Sequence, residues 1–285
     1  MRSQWVHAHF LICTVSIKVL CLIALYKRHR VAELCFKGLN RLRQEFDITV
    51  LGVHSGGFPE LCRGYDVIPY EYKNLPLGEK WNAGLREALR YDWDYLLTIG
   101  SDDLLSNELL RLYTWSEEAF GINRCGVIDL TTGRQAIFEN NYVIGAGRVI
   151  RRDVIERMGD QVVVKYNECQ SGPNGVTVPG KEITISRHFW DRVRGSTTLV
   201  REIRGEPRLW ANDLNQSLDY SSDCLLNANG VIQKIYLSDK ILAIDLKSDI
   251  NIWPFDHFTQ KEFTVDWLSK EEEDAIREFR SSNTD

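Results

Sequence analysis

The apolar run Tyr95-Leu96-Leu97-Thr98-Ile99 passes through Gly100-Ser101 and stops at two adjacent carboxylates, Asp102 and Asp103. The run has strand length and alternates poorly, so it reads as a strand buried on both faces. Such strands belong to α/β proteins, which bind ligands at the carboxyl ends of their strands. Two neighbouring acids repel each other, and a hard divalent cation with oxygen ligands is one natural compensation. A solvated turn, with Asp102 capping a helix that begins near Leu104, is the alternative.

The rest of the chain fits an α/β plan. Lys18 to Leu25 is a second buried apolar run, followed by the basic turn Tyr26-Lys27-Arg28-His29-Arg30. Val31, Leu34, Cys35, Leu39 and Leu42 recur at helical spacing, which predicts a helix over 31–45. Strands are expected at 47–53 and 66–70, then a helix over 77–90 leading into the 95–99 strand. Strand, helix, strand, strand, helix, strand with short connections predicts a largely parallel sheet flanked by helices. Beyond it, helices are expected at 107–120, 153–158, 218–228 and 264–280, and strands at 126–129, 135–138, 232–236 and 241–244. Tyr166 to Lys181, rich in Gly, Pro, Asn and Ser, is expected to be a loop over a site.

Composition narrows the function. In 285 residues, 44% hydrophobic and 26% charged, a sizeable core needs no staples. A net charge of −5 makes the protein as a whole no magnet for nucleic acid or acidic lipid. Local basic patches remain, at Arg148, Arg151 and Arg152 and at Arg187, Arg192, Arg194, Arg201 and Arg204. The seven cysteines have no C-x-x-C spacing and read as reduced thiols of a cytoplasmic protein. The apolar stretch from His9 to Tyr26 is interrupted by Lys18, and its second half serves as the first strand, so no integral membrane span is expected. The expected organisation is an N-terminal extension (1–17), one α/β domain (18–260) and a C-terminal helix or tail (261–285). The domain would have two functional halves, 18–105 and 106–260.

Ordered elements then resemble a known family. Lys80-Trp81-Asn82-Ala83-Gly84 lies on a helix just before the strand that ends in Ser101-Asp102-Asp103. Leu218-Asp219 opens a helix that closes at Gly230, eleven residues after the Asp. Together these resemble the GT-A glycosyltransferases of the family-2-like kind, over roughly residues 18–245. The resemblance implies a GT-A, Rossmann-like mixed sheet and transfer of a sugar, as in hexosyltransferases, from a nucleotide-diphosphate sugar to an acceptor hydroxyl. It implies a Mn2+ or Mg2+ ion held by Asp103, with Asp102 on the ribose or assisting the metal. Lys80 and Asn82 would belong to the donor site.

By the same resemblance Asp219 is the general base of an inverting displacement, with Asp213 its nearest rival. Gly147 and Arg148 would line the sugar and acceptor side. Tyr26 could stack on the base beside Ser55, while His54 caps or packs, and uridine is the nucleoside by analogy. Lys247 could reach the diphosphate, and His257 could complete the metal shell. Ser101 stands where the family carries the first acid of D-x-D, and Leu218 where it carries Glu. These departures keep open a non-catalytic sugar-nucleotide-binding relative. A nucleotidyltransferase making the sugar nucleotide is a further alternative, although its Gly-rich triphosphate loop has no counterpart after the first strand. The acceptor (glycan, lipid-linked sugar, protein or modified nucleic-acid base) is not specified.

Overall fold

The computed structural model describes residues 17–158, 170–172, 175–177, 184–185, 209–210, 218–248 and 255–281. Its centre is β1 (Lys18–Leu25), flanked in parallel by β2 (Asp47–His54) and β4 (Tyr95–Gly100). Alternate residues of β1 feed two separate cores, as the two-residue period of a strand requires. Val19, Cys21, Ile23 and Leu25 pack with Ala32, Phe36 and Leu39 of α1 (His29–Arg43). Leu20 and Leu22 pack with Leu85 and Ala88 of α3 (Leu77–Ala88) on the other face. Burial on both faces explains why this strand is a continuous apolar run.

A short helix, α2 (Pro59–Gly64), leads to β3 (Val67–Glu71), which pairs in parallel with β2. After β4 the chain forms β5 (Asp103–Leu105), α4 (Asn107–Leu112), β6 (Ala119–Ile122), β7 (Arg124–Asp129) and β8 (Gln135–Glu139). There follow β9 (Arg148–Arg151) and α5 (Arg152–Met158). Three short strands, β10 (Gln170–Gly172), β11 (Gly175–Thr177) and β12 (Thr184–Ile185), form a small antiparallel sheet. The remaining described elements are α6 (Leu218–Ala228), β13 (Gln233–Tyr236), β14 (Ala243–Lys247), a 3-10 turn at Phe255–His257 and α7 (Lys270–Ser281).

The large sheet runs β13-β6-β9-β4-β1-β2-β3. It is mainly parallel; only β9 runs against both of its neighbours. A second sheet, β5-β14-β7-β8, joins a strand near residue 104 to one near residue 245. The protein is therefore a mixed α/β protein with helices over a mainly parallel sheet. No described helix is long and apolar enough to cross a membrane.

Three expectations need correction. The helix expected over 107–120 ends at Leu112, because Tyr113 turns into extended backbone. Tyr113 and Trp115 then pack edge-on against Phe120, with ring centroids 4.9 and 5.7 Å away, and Ala119–Ile122 becomes a buried strand. The helix expected near Leu104 is strand β5, and the cap of α4 is Ser106, whose Oγ accepts the Leu109 N–H at 3.0 Å. Asp102 caps nothing there. The loop expected at 166–181 contributes β10 and β11 to the small sheet. The rest of that loop, Asp213, the basic residues at 187–204, Cys13 and Cys169 lie outside the described residues. The five described cysteines are free thiols, and four of them are buried.

Candidate metal site

Backbone pairing builds the acidic cluster. β5 leaves the end of β4 and pairs antiparallel with β14 in a register that sets Asp245 directly opposite Asp103. The Leu246 N–H donates to the Asp102 carbonyl at 2.8 Å and locks this junction. Asp102, Asp103 and Asp245 each offer a carboxylate oxygen, and these lie within 4.8 Å of one another. Like charges directly opposite on paired strands destabilise a ladder, so this arrangement calls for positive charge.

The protein supplies part of that charge. Arg28 Nη1 donates to Asp102 Oδ2 at 2.8 Å, and Nη2 to Ser101 Oγ at 3.0 Å. Lys247 Nζ lies 2.5 Å from Asp245 Oδ2. The Gly100 N–H donates to Asp103 Oδ2 at 2.5 Å. A Cβ on Gly100 would lie 2.7 Å from Asp102 and 3.1 Å from Asp103, so both carboxylates fold over a position that only glycine leaves open.

The compensation is incomplete. Burial, then Asp245 and Asp102, hold the Asp103 carboxyl well above the usual carboxylate range. Burial also pushes Asp245 up to about 6, against the pull of Lys247. Asp245 Oδ1 is buried without a hydrogen-bond partner among the described residues. Three carboxylates that each bring a hard oxygen within 4.8 Å of the others, with Asp245 Oδ1 left unpartnered among the described residues, fit a divalent cation such as Mg2+ or Mn2+. Lys247, which burial would weaken, is held above its usual value by Asp245, Asp102 and Asp103.

Other expected residues sit elsewhere. His257 is exposed and is not one of the clustered acids, because Phe255 of the same turn is the residue that packs inward, with Val127 and Ala136. Asp245 completes the cluster instead. Lys80 is fully buried and fills its three N–H donors with the Leu25 carbonyl (2.7 Å), Ser55 Oγ (2.8 Å) and Asn74 Oδ1 (3.2 Å). It ties the ends of β1 and β2 together. Burial lowers its pKa to about 8. Tyr26 is exposed at this strand end, its ring centroid 5.8 Å from Lys80 Nζ. Ser55 Oγ donates to the Tyr72 carbonyl at 2.8 Å and lines an open cleft.

Asn82 is buried, and its side chain grips the backbone of Leu209 and Trp210: the amide oxygen accepts both N–H groups and the amide nitrogen donates to the Trp210 carbonyl at 2.6 Å. It positions that segment. Gly147 is buried at φ 84°, where a Cβ would press on Leu109 and Tyr113. It packs closely against these side chains. Arg148 is 1% exposed and pairs with Asp223 of α6 at 2.9 Å. That buried pair ties β9 to the helix bearing Asp219, which stands in the first turn of α6. The neighbouring patch is likewise structural: Arg151 pairs with Asp153, and Arg152 with Glu156 while covering Trp93. His54 is buried.

Sequence reasoning missed Asp245 and Arg28. A lone acid inside the apolar stretch Ala243-Ile244-Asp245-Leu246 was a signal for the first. The second stood in the basic turn after β1, with nothing local to tie it to Asp102.

No protein-family model and no curated protein matches this chain. Solved structures show slight likenesses. A mannosyltransferase from Pyrobaculum calidifontis, in complex with GDP-Man and Mn2+, is 16% identical at TM-score 0.36, over 51% of this chain and 48% of that one. A Drosophila galactosyltransferase mutant, in complex with manganese, UDP-Gal and xylobiose, is 14% identical at TM-score 0.34, over 53% and 55%. An inositol-1-phosphate CTP transferase from T. maritima is 10% identical at TM-score 0.39, over 93% and 96%. The chain thus spans about half the length of both glycosyltransferases. At these TM-scores the likeness decides neither family nor reaction.

Proposed function

We propose that this protein is a metal-dependent glycosyltransferase that uses a nucleotide-diphosphate sugar. The observation that carries the reading is the carboxylate triad Asp102–Asp103–Asp245 at the carboxyl end of β4, next to the central strand, with Arg28 and Lys247 beside it. Asp103 and Asp245 would hold the cation, and Arg28 fixes Asp102 in place. A bound divalent cation would neutralise charge developing on a diphosphate leaving group without proton transfer. Lys247 adds a fixed cation at the same point. Lys80 and Ser55 shape the nucleoside end. Asp219, on the helix anchored by Arg148 and Asp223, would accept the proton of the attacking hydroxyl, which implies inversion.

A nucleotidyltransferase would use the same acids. The basic turn at Lys27 and Arg28, both with left-handed backbone, is the observation that favours it. Arg28, however, is engaged by Asp102 and Ser101. A thermal-shift screen with Mn2+ separates these readings, because a ligand that binds only the folded state raises the melting temperature. Nucleotide-diphosphate sugars should stabilise the protein, and slow donor hydrolysis should accompany binding. Pyrophosphate release from a nucleoside triphosphate and a sugar phosphate would favour the second reading. Donor binding without turnover would mean a non-catalytic relative, and stabilisation by no nucleotide would overturn all three.

A further inference from the structure

At the carboxyl ends of β2 and β3 an open cleft of about 670 Å3 is lined by Ser55, Gly56, Glu71, Tyr72 and Lys73. Its walls are braced from one side: Glu79 accepts the Tyr72 hydroxyl at 2.7 Å and pairs with Lys73 at 2.8 Å. Glu71 differs. Among the described residues its carboxylate has neither a hydrogen bond nor an ion pair, and its electrostatic neighbour is His54, opposite it on β2. The cleft therefore offers a fixed wall, an ammonium with N–H donors to spare and an uncommitted carboxylate.

Strand order sets its distance from the acids. Going outward from β4 the sheet runs β1, β2, β3. With adjacent strands about 4.8 Å apart, the gap between β2 and β3 lies roughly 12 Å from the end of β4. That is about the reach of a nucleoside diphosphate whose phosphates sit at the acidic cluster.

We propose that this cleft takes the base of the donor nucleotide and that Glu71 selects guanine, an inference that rests on the nucleotide-sugar reading. A carboxylate has two acceptor oxygens and no donor. Guanine presents N1–H and N2–H side by side, which fill both oxygens in a bidentate, charge-assisted pair. Its O6 follows on the same edge and accepts from Lys73. Uracil offers a single N–H between two carbonyls, so the second oxygen of Glu71 would face another acceptor. Adenine and cytosine each set an acceptor nitrogen beside their amino group, with the same repulsion. A site built on paired hydrogen bonds rejects a ligand that leaves them unmade.

The test is calorimetric titration of the full chain in Mn2+ with GDP and UDP, for wild type and Glu71→Gln. GDP should bind wild type about tenfold or more tightly than UDP, and Glu71→Gln should weaken GDP about tenfold while leaving UDP unchanged. Glu71 is exposed, so the variant should melt with the wild type when no ligand is present. UDP binding as tightly as GDP, or a variant that loses both nucleotides equally, overturns the role of Glu71 and leaves the nucleotide-sugar reading standing. Wild type binding neither GDP nor UDP overturns the role of Glu71, and wild type binding none of GDP, UDP, ADP, CDP and dTDP overturns the nucleotide-sugar reading as well.

Discussion

At the scale of single residues, the acidic cluster sets stability against function. Asp103 is 7% exposed and faces Asp245 across a strand pair. Replacing it by Asn removes a buried charge while keeping an oxygen for the Gly100 N–H. Metal-free Asp103→Asn should therefore melt higher than wild type, and Mn2+ should no longer raise its melting temperature. A residue retained only for packing would show neither effect. The pH dependence follows from Asp245, whose pKa rises from 3.8 to about 6. Between those values the folded state binds more protons than the unfolded one, so metal-free stability falls as pH rises across that window. A metal needs the ionised carboxylate, so the stabilisation by Mn2+ should grow as pH rises through about 6. Equal metal-induced shifts at pH values on either side of this range would contradict the assignment.

At the scale of elements, the Arg148–Asp223 pair holds α6 to the large sheet. Asp223 also accepts from Gln233 at 2.6 Å, so the helix is tied to β13 as well as to β9. Removing one partner of a buried pair strands the other charge. Arg148→Met alone should cost roughly 3 kcal/mol, and the double change Arg148→Met with Asp223→Leu should recover much of it. Urea unfolding of the three variants measures this; a double variant less stable than either single one would show that the charges do more than satisfy each other. The elements also show what local sequence can carry. β1 and β4 were legible because burial on both faces leaves an unbroken apolar run, and α6 because its apolar residues end at Gly230. The aromatics at Tyr113, Trp115 and Phe120 were misleading, since their spacing is compatible with a helix and only their mutual packing straightens the chain. Asp103 was legible as the end of a strand. Its partner Asp245 was not, because β5 is three residues long and the pairing spans more than half of a domain's worth of sequence. Arg148 and Asn82 were legible as polar residues in marked places, but not as buried ones, since burial is a property of the partners that surround them.

At the scale of the whole molecule, the C-terminal helix reaches back to the acidic strand. Ser269 and Glu272 cap α7 reciprocally: the Glu272 N–H donates to Ser269 Oγ at 3.2 Å, and the Ser269 N–H to Glu272 Oε2 at 2.6 Å. The same Glu272 carboxylate is fully buried and receives Arg41 of α1 at 2.9 Å. Arg41 Nη2 donates onward to the Leu105 carbonyl at 2.8 Å, and Nη1 to Asn107 Oδ1 at 2.5 Å. Leu105 ends the strand that begins at Asp103. One carboxylate thus caps the last helix and holds the arginine that braces β5. Glu272→Ala loses the cap and leaves Arg41 without its buried carboxylate, which should cost roughly 3 kcal/mol in urea unfolding. If Arg41 braces the acidic strand, the variant should also bind Mn2+ more weakly under conditions where it is still fully folded. Lower stability with unchanged Mn2+ affinity would confine the C-terminal helix to holding the fold, and would leave the geometry of Asp103 to the Asp245 pairing and the Gly100 N–H alone.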